Sequence, residues 1–442
     1  MRKQTIISKI DEKIQIVCYT IGMYIFTIGA IFASLFVKKI RHQVKGDAGT
    51  WIKLHKYIKK DDKIVWFHAA SLGEFEQGRL LMELVRKNLP EYKILLTFFS
   101  PSGYEVRKDY EGADIVCYLP FDTPGNAASF LRLTHPEIAI FIKYEFWYHY
   151  LHRAHKRGVK VYSVSSIFRE DQHFFKWYGM TQPLYQFDYF FVQNQESKDL
   201  LEQRLGFDNV MIVGDTRFDR VIKIKQRSAN LPVVKTFVDD KPTFIAGSSW
   251  QPDEDIYIPY FANHRDWKLI IAPHKITGHR LNELRTALAG RKVIFYSEIT
   301  TEDGQQAVDD SILRDAEVLI VDCFGKLSSI YRYGKLALVG GGFGAGIHNV
   351  PEAAVYGIPV VFGPNNKKFQ EAQALLQCKG SFEFTDAASF TTLIDDFIQH
   401  PDKMTAAGQA ASQYIYGNAG AVDKCYDAIF NNKTPSSTIN SK

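Results

Sequence analysis

Residues 336–368 read LALVGGGFGAGIHNVPEAAVYGIPVVFGPNNKK and contain the clearest secondary-structure pattern of the sequence. An apolar run leads into a glycine-rich loop, then into a helix start around residues 349–351 and a second apolar run. A buried strand, a tight loop, a helix and another buried strand form the repeating unit of parallel α/β sheets. The glycines of the loop are Gly340, Gly341, Gly342, Gly344 and Gly346.

The same loop has the composition of an anion-binding site. Glycines let the backbone approach a phosphate closely, and a helix start offers unpaired N–H groups with a favourable dipole. Asn349 suits the N-cap position and Pro351 the first turn, while Glu352 would face the same mouth and accept bonds from ribose hydroxyls. A tight connection that binds no ligand would have a similar sequence, so the glycines alone leave both interpretations open.

Outward from this loop, the rest of the body alternates short apolar runs with helical stretches. This alternation predicts parallel sheets covered on both faces, here two Rossmann-like domains facing a cleft. We expect an N-terminal domain over residues 46–220, a C-terminal domain over 221–431 and a polar tail over 432–442. Ligands of such sheets bind beyond the carboxyl ends of the strands. The predicted strands are 64–67, 93–98, 114–118, 138–142, 159–164, 189–193, 210–213, 243–246, 269–272, 293–296, 318–321, 336–339 and 359–362.

A second candidate site lies in residues 67–76, FHAASLGEFE, which follow the first predicted strand of the body. Ser71 and Gly73 fit a turn, and Glu74 stands where the next helix begins. The helix dipole favours a carboxylate at that position, so a purely structural first-turn acid is one interpretation. The other is a general base at a strand end, facing the cleft.

The N-terminal segment has the pattern of a membrane helix. Residues 14–37 contain no charged side chain, and as a helix they would span about 36 Å, enough for a hydrocarbon core of about 30 Å. Basic residues lie on both sides, and the larger cluster downstream, which includes Lys38, Lys39 and Arg41, favours a cytoplasmic body. We expect residues 1–45 to be a single anchor with its basic flank; a buried core helix or a segment lying in one leaflet are the alternatives.

Composition argues against several other classes of function. Lysine and arginine outnumber aspartate and glutamate by 54 to 49, a surplus too small and dispersed for nucleic-acid binding. The five cysteines form no pair at metal or redox spacing, which indicates a reducing compartment. The acids Asp253, Glu254 and Asp255 follow Pro252 at a predicted helix start and are interpreted as dipole-favoured acids. We therefore expect no metal and no cofactor.

Several motifs together carry a resemblance to a known family. They are HAASLGE, YEFW, SSIFR, GDTRFD and GIHNVPEAA-x-GIPVVFGP, in that order behind the N-terminal anchor. The set resembles the 3-deoxy-D-manno-octulosonic acid (Kdo) transferases of lipopolysaccharide synthesis. The resemblance implies a GT-B fold, CMP-Kdo as donor and the phosphorylated, acylated disaccharide precursor of lipid A as acceptor. It also implies an inverting transfer at the cytoplasmic face of the cell inner membrane.

The resemblance assigns roles to individual residues. It implies that Glu74 deprotonates the acceptor hydroxyl, with Glu145, Lys143 and Arg169 as acceptor-side or supporting residues. Lys143 and Lys326 stand where the family pattern has acids, and 272–275 (Ala-Pro-His-Lys) replaces a Pro–Arg–His segment. The implied donor-binding residues are Arg217, His274, Lys275, Gly342, Gly344, Gly346, His348, Asn349 and Glu352.

Two alternatives to Kdo transfer stay open at this point. One is another GT-B enzyme, either an epimerase or a transferase that uses a UDP-sugar, which would share the glycine loop but has no reason to carry the anchor. The other is a non-catalytic, membrane-tethered nucleotide-binding protein, in which replacing Glu74 would leave function intact.

Overall fold

The computed structural model describes residues 6–176, 179–228, 230–301 and 303–431, with side chains from residue 12 onward. The predicted polar tail at 432–442 lies outside the described residues. The chain divides into two compact units. The first contains the described residues up to Asp219 together with those from Gly420 onward, and the second is Arg220–Ala419.

The first unit is built on a seven-stranded parallel sheet with the order β3-β2-β1-β4-β5-β6-β7. Alternate residues of a strand enter opposite cores: Trp66 packs on one face of the sheet and Phe67 on the other. Burial on both faces explains the continuous apolar runs of the sequence. The strands are β1 (Lys63–Ala69), β2 (Tyr92–Phe98), β3 (Ile115–Tyr118), β4 (Ile138–Ile142), β5 (Lys160–Ser166), β6 (Tyr189–Val192) and β7 (Val210–Ile212).

The second unit contains another seven-stranded parallel sheet, with the order β10-β11-β9-β8-β12-β13-β14. Every predicted strand of this half overlaps an observed one. The added edge strand β14 escaped prediction because its three residues hold a single apolar side chain. The strands are β8 (Thr243–Ser249), β9 (Lys268–Pro273), β10 (Val293–Phe295), β11 (Val318–Ile320), β12 (Leu336–Val339), β13 (Val360–Phe362) and β14 (Ser381–Glu383).

Helices connect the strands and cover both sheets. They are α1 (Ile6–Ala33), α2 (Lys38–Tyr57), α3 (Leu72–Asn88), α4 (Pro101–Arg107), α5 (Pro124–Thr134), α6 (Tyr148–Lys156), α7 (Gln195–Asp199), α8 (Thr216–Arg227), α9 (Pro232–Val238), α10 (Gln251–Ala262), α11 (Gly278–Ala287), α12 (Tyr296–Ile299), α13 (Asp310–Asp315), α14 (Leu327–Ile330), α15 (Pro351–Ala354), α16 (Gln370–Gln377), α17 (Ala387–Gln399), α18 (Pro401–Gly417) and α19 (Ala421–Phe430). Short 3₁₀ turns lie at His173–Phe175, Leu184–Gln186 and Tyr331–Tyr333, and a π-helical turn at Leu200–Arg204.

The last helix, α19, lies in a different unit from the one predicted. The predicted C-terminal domain extended to residue 431, whereas the residues from Gly420 onward belong to the first unit. Helix α19 belongs to the first unit, where Val422 and Cys425 join the core that contains Phe75 of α3. The Asp219 carboxylate accepts the N–H groups of Gly420 and Ala421 at 2.7 and 3.1 Å. The apolar face of α19 completes that core. At the other end, the predicted boundary at residue 45 falls inside α2.

Each sheet has one position where the strand order reverses. In the first unit β1 lies between β2 and β4, so the chain leaves β1 toward one edge and later returns on its other side. In the second unit β8 lies between β9 and β12 in the same way. Ligands of open α/β sheets bind at such switch points, beyond the carboxyl ends of the strands. The loops after β1 and β4, and after β8 and β12, are therefore the places to look for sites.

Helix α1 packs lengthwise on the first unit. Residues Glu12–Ala33 are long and apolar enough to cross a membrane by length and composition. Contacts with the body are spread along the helix: Gln15 bonds Gln182 at 3.1 Å, and Phe26 meets Phe121 with ring centroids 5.6 Å apart. Between them, Tyr19 donates to the buried Asp122 at 2.7 Å. The opposite side of the helix is an exposed apolar stripe of Ile14, Val17, Ile21, Ile25, Ile28 and Phe32.

Candidate functional site

Glu74 lies at the switch point of the first unit, in the first turn of α3. Ser71 is the N-cap of this helix and accepts the Glu74 N–H, while the Glu74 carboxylate accepts the Ala70 N–H at 2.6 Å. Burial, and secondly the nearby Glu145 carboxylate, raise the pKa of Glu74 to about 7. The structural role in the helix start is therefore real, but a carboxyl with this pKa also suits proton transfer near neutral pH.

The loop after β4 brings the other predicted residues of this unit toward Glu74. Glu145 and Lys143 both act on the Glu74 charge, the first raising and the second lowering its pKa. Lys143 has φ +63°, and its carbonyl accepts the Ser166 hydroxyl at 2.9 Å, which fixes the turn at the end of β4. The substitution of a lysine for an acid at 143 thus places a positive charge beside the candidate base.

Arg169 and Arg217 also lie in the first unit. Both guanidinium groups act on the Tyr144 phenol, and Arg169 hydrogen-bonds it, although burial keeps the pKa of Tyr144 raised. Arg217 is held by Asp215, with Nε–Oδ2 at 2.8 Å and Nη2–Oδ2 at 2.6 Å. The structure therefore gathers Glu74, Lys143, Tyr144, Glu145, Arg169 and Arg217 in one cluster, which we call the carboxylate cluster. The assignment of Arg217 to the donor pocket stays a prediction.

A histidine that the sequence prediction left without a role stands next to this cluster. His68, fully buried at the end of β1, accepts the indole N–H of Trp147 at 3.2 Å. Its Nδ1 lies 2.9 Å from the Thr97 hydroxyl, and its Nε2 lies 3.9 Å from the Glu145 carboxylate. The hydrogen bonds with Trp147 and Thr97 fix the orientation of the imidazole near Glu145. The signal was present in the HAASLGE motif, where the histidine precedes Glu74 by six residues.

The second unit contains a pocket of about 450 Å³ at the carboxyl ends of β8, β9 and β12. Three aromatic rings form one wall. Trp250 stacks on His274 with centroids 4.4 Å apart, and His274 stacks on His348 at 4.5 Å. The Lys275 ammonium lies 5.1 Å from the centroid of the Trp250 ring. The pocket is lined by Trp250, Pro252, Asp253, His274, Gly341, Phe343, Gly344, Ala345, Gly346 and His348.

The glycine loop forms another wall of this pocket. Gly341 and Gly346 have φ of +96° and +131°, which other residues adopt only with strain. A Cβ at Gly342 would lie 2.5 Å from the backbone of Gly363, so the loop also needs glycine for close packing. A Cβ at Gly344 would make only an ordinary contact, 3.8 Å from the Gly341 carbonyl oxygen. The prediction of a glycine loop at a strand end is confirmed.

Asp253 has a role that the sequence did not reveal. One carboxylate oxygen accepts both the Trp250 N–H at 2.9 Å and the Gly341 N–H at 3.1 Å, which ties the loop after β8 to the loop after β12. Asp253 and Glu254 stand in the first turn of α10, as predicted, and Glu254 forms an ion pair with Arg280. Among the described residues, no group of three or more His, Cys, Asp or Glu side chains is arranged to hold a metal ion.

Asn349 and Glu352 follow the pocket residue His348 in the chain and form a pair, but neither is among the residues that line the pocket. The Asn349 amide donates to the Glu352 carboxylate at 2.7 Å, and the Arg220 guanidinium lies 3.7 Å from the same oxygen. The prediction of Asn349 as N-cap was wrong: the N-cap of α15 is Val350, because the Asn349 side chain turns to Glu352 instead. Pro351 occupies the first turn as predicted.

Comparison with known proteins adds independent findings. Residues 47–220 match the family model described as 3-deoxy-D-manno-octulosonic-acid transferase. A curated 3-deoxy-D-manno-octulosonic acid transferase of Aquifex aeolicus is 26% identical over 350 residues, covering 77% of this chain and 88% of that protein. The enzyme of the same name from Haemophilus influenzae is 22% identical over 380 residues, covering 83% and 86%.

Solved structures share the fold at low sequence identity. The UDP-GlcNAc 2-epimerase of Neisseria meningitidis aligns with a TM-score of 0.58 at 13% identity, covering 84% of this chain and all of that one, 100%. MurG of Acinetobacter baumannii aligns with a TM-score of 0.53 at 11% identity, covering 83% and 99%. At these identities the likeness concerns the fold alone, which is of the GT-B type with one Rossmann-like sheet in each unit.

Proposed function

We propose that this chain, which is similar to 3-deoxy-D-manno-octulosonic acid (Kdo) transferases over most of its length, is a glycosyltransferase of that family. It transfers Kdo from CMP-Kdo to the phosphorylated, acylated disaccharide precursor of lipid A, with inversion. The observation that carries this proposal is Glu74. It is a carboxyl at the switch point of the first sheet, with its pKa raised to about 7 and a second carboxylate, Glu145, near it.

In the proposed reaction Glu74 takes the proton of an acceptor hydroxyl. The hydroxyl oxygen forms a bond to the anomeric carbon of Kdo as the bond from that carbon to the phosphate oxygen breaks, and CMP leaves with the electron pair. One base on the face opposite the leaving group gives a single displacement with inversion. Burial, and secondly Glu145, keep the pKa of Glu74 raised, and the Lys143 charge opposes this shift.

We assign the donor to the pocket of the second unit. CMP-Kdo carries a phosphate and a sugar carboxylate, and both need N–H donors or positive charge. The backbone of the glycine loop, with Lys275 near Trp250, supplies these in a pocket of a size usual for ligands of this class. Glu352 is proposed to accept bonds from the ribose hydroxyls.

We further propose that α1 holds the enzyme in the cytoplasmic leaflet of the inner membrane and lies along it. Its contacts with the body run from Gln15 to Phe26, so a helix crossing the bilayer would carry the side chains bonded to it, Asp122 among them, into hydrocarbon at high cost. Lying in one leaflet, the exposed stripe of α1 would meet acyl chains while the basic residues at the start of α2 meet anionic headgroups.

The position of α1 also suits a lipid acceptor. Ring contacts lead from Phe26 of α1 to Phe121, from Phe121 to Phe99, and from Phe99 to Trp147, with centroids 5.6, 6.2 and 4.6 Å apart. Trp147 then bonds His68 near Glu145. An acylated acceptor held at the lipid-facing helix would thus have its sugar close to the carboxylate cluster.

The test is a transfer assay with the purified full chain in detergent. CMP-Kdo and lipid A precursor are supplied, and the mass of the lipid product is measured by mass spectrometry. We expect one or more Kdo units on the lipid and CMP in equal amount, with both products formed about 10²–10⁴-fold more slowly by the Glu74→Gln variant. Parallel incubations with UDP-GlcNAc test the alternatives: epimerised sugar, or transfer from the UDP-sugar with none from CMP-Kdo, would overturn the proposal. A chain that binds CMP-Kdo but forms no product with any acceptor would indicate a binding protein.

A further inference from the structure

The aromatic wall of the second unit's pocket contains a histidine whose protonation is set by its neighbour. Trp250 Nε1 lies 3.1 Å from His348 Nε2 and donates to it. An indole N–H can only donate, so this imidazole nitrogen must be unprotonated. A neutral imidazole then carries its single proton on the other nitrogen, Nδ1. The contact therefore selects one tautomer of His348.

The surroundings keep this arrangement in place. His274 stacks on both partners, with interplanar angles of 19° to Trp250 and 24° to His348, so neither ring can turn without disturbing the stack. The backbone of Trp250 is fixed as well, because its N–H donates to Asp253. Burial, and secondly the neighbouring His274, lower the pKa of His348, which favours the neutral ring that the bond from Trp250 requires.

The protonated nitrogen of His348 is available to a ligand. The side chain lines the pocket together with Gly341, Gly344 and Gly346 of the loop, and within the described part of the chain its Nδ1 has no hydrogen-bond partner. An unused N–H in a loop rich in backbone N–H groups matches an anionic oxygen. In the other tautomer, Nδ1 would be unprotonated, and its lone pair would repel that oxygen.

We propose that Trp250 is a positioning residue: by holding His348 as the Nδ1–H tautomer, it adds one N–H donor for an anionic oxygen of the sugar nucleotide, on its phosphate or on its sugar carboxylate. The inference rests on the proposed function for placing CMP-Kdo in this pocket. Trp250 need not touch the donor to act, since it works through His348.

The first experiment reads the tautomer without any ligand. The full chain is labelled with ¹⁵N-histidine, and the His348 signal is assigned by its loss in His348→Asn. In the wild-type protein, His348 should be protonated at Nδ1 and unprotonated at Nε2. The Trp250→Phe variant keeps a ring for stacking but lacks the indole N–H, so it should shift His348 toward the other tautomer. Trp147→Phe is the matched control, since it removes the same kind of bond from His68 and should leave His348 unchanged. An unchanged His348 in Trp250→Phe overturns the inference.

The second experiment asks which oxygen receives the bond. CMP carries the phosphate alone and free Kdo carries the carboxylate alone, and each is titrated calorimetrically into wild type and Trp250→Phe. We expect about 3- to 10-fold weaker binding of one of them, the size of one ordinary hydrogen bond. Equal affinities in both proteins, despite a changed tautomer, would refute donation by His348. A wild type that binds neither ligand would overturn the proposed function and the donation together, whereas an unchanged tautomer overturns the inference alone.

Discussion

At the level of single residues, the Glu74 carboxylate has a structural role in the helix start and a proposed role as the catalytic base. It accepts the Ala70 N–H at the start of α3, and its environment raises its pKa to about 7. We expect Glu74→Gln to reduce turnover by about 10²–10⁴-fold, the usual contribution of a general base, with CMP affinity kept. Glu83→Gln is the control, because Glu83 lies on the same helix and pairs with Arg79. A Glu74→Gln enzyme with the turnover of wild type would exclude Glu74 as the base.

The raised pKa of Glu74 also predicts a stability effect with a definite sign. The folded carboxyl titrates at about 7 and the unfolded one near 4.5, so between these values the folded state binds more protons than the unfolded state. Wild-type stability therefore falls as pH rises through this window. Glu74→Gln lacks this penalty and should melt at a higher temperature than wild type at pH 8, with the gap closing toward pH 4.5. Melting curves across that range check it; a gap that widens at low pH would contradict the assigned environment.

Glu352 permits a similar separation of binding from structure. Its carboxylate accepts from Asn349 and lies near Arg220. If it also accepts ribose hydroxyls, Glu352→Ala should weaken CMP binding by about 1.5–3 kcal/mol per lost bond. Asn349→Ala, which keeps the carboxylate, is the control and should retain more of the affinity. Calorimetric titration beside a melting curve decides, since a less stable Glu352→Ala protein with unchanged CMP affinity would make Glu352 a structural residue only.

At the scale of elements, the glycine loop shows why its residues are not equivalent. Gly341 has φ +96°, and a Cβ there would lie 2.4 Å from the Gly346 carbonyl oxygen, whereas a Cβ at Gly344 would meet its nearest atom only at 3.8 Å. Gly341→Ala should therefore lose at least about 1–2 kcal/mol of unfolding free energy, and Gly344→Ala should melt close to wild type. Denaturant unfolding of both variants measures this difference. Equal losses in the two variants would contradict the requirement for glycine at position 341.

Elements with strong periodic patterns were predictable from the sequence, and those fixed by distant partners were not. Thirteen apolar runs sufficed for the strands because parallel strands are buried on both faces, while β14 offered only Phe382 as a signal. The placement of α19 depends on a core formed with α3, far away in the chain. In the same way, Glu74 and the glycine loop stand out locally, but the roles of Asp253, Trp250 and His68 exist only through partners that the fold brings to them.

At the scale of the whole molecule, the main question is how the chain meets the membrane. The apolar run alone fits a spanning helix and a helix in one leaflet equally well. The contacts of α1 distinguish these two arrangements. They run from Gln15 to Phe26 and include hydrogen bonds from Tyr19 and Thr20 to the body. Asp122, the partner of Tyr19, is buried, and this burial raises its pKa to about 6. Its carboxylate accepts the N–H groups of His149 and Tyr150 in α6.

We therefore expect every position on the exposed stripe of α1 to sit at a similar depth. Spin labels placed singly at Val17, Ile21, Ile28 and Phe32, with the exposed Cys18 and Cys378 replaced, would report depth in vesicles through their relaxation by oxygen and by a water-soluble nickel complex. A helix in one leaflet should give nearly equal oxygen-rich values at all four sites, since the stripe runs parallel to the surface. A spanning helix, with about 22 Å between residues 17 and 32, should give a profile that passes through a maximum at mid-bilayer. A label at Ile312, exposed in the second unit, is the water-accessible control. A maximum of oxygen relaxation at the middle labels would show that α1 spans the bilayer. Its packing on the first unit would then not persist in lipid.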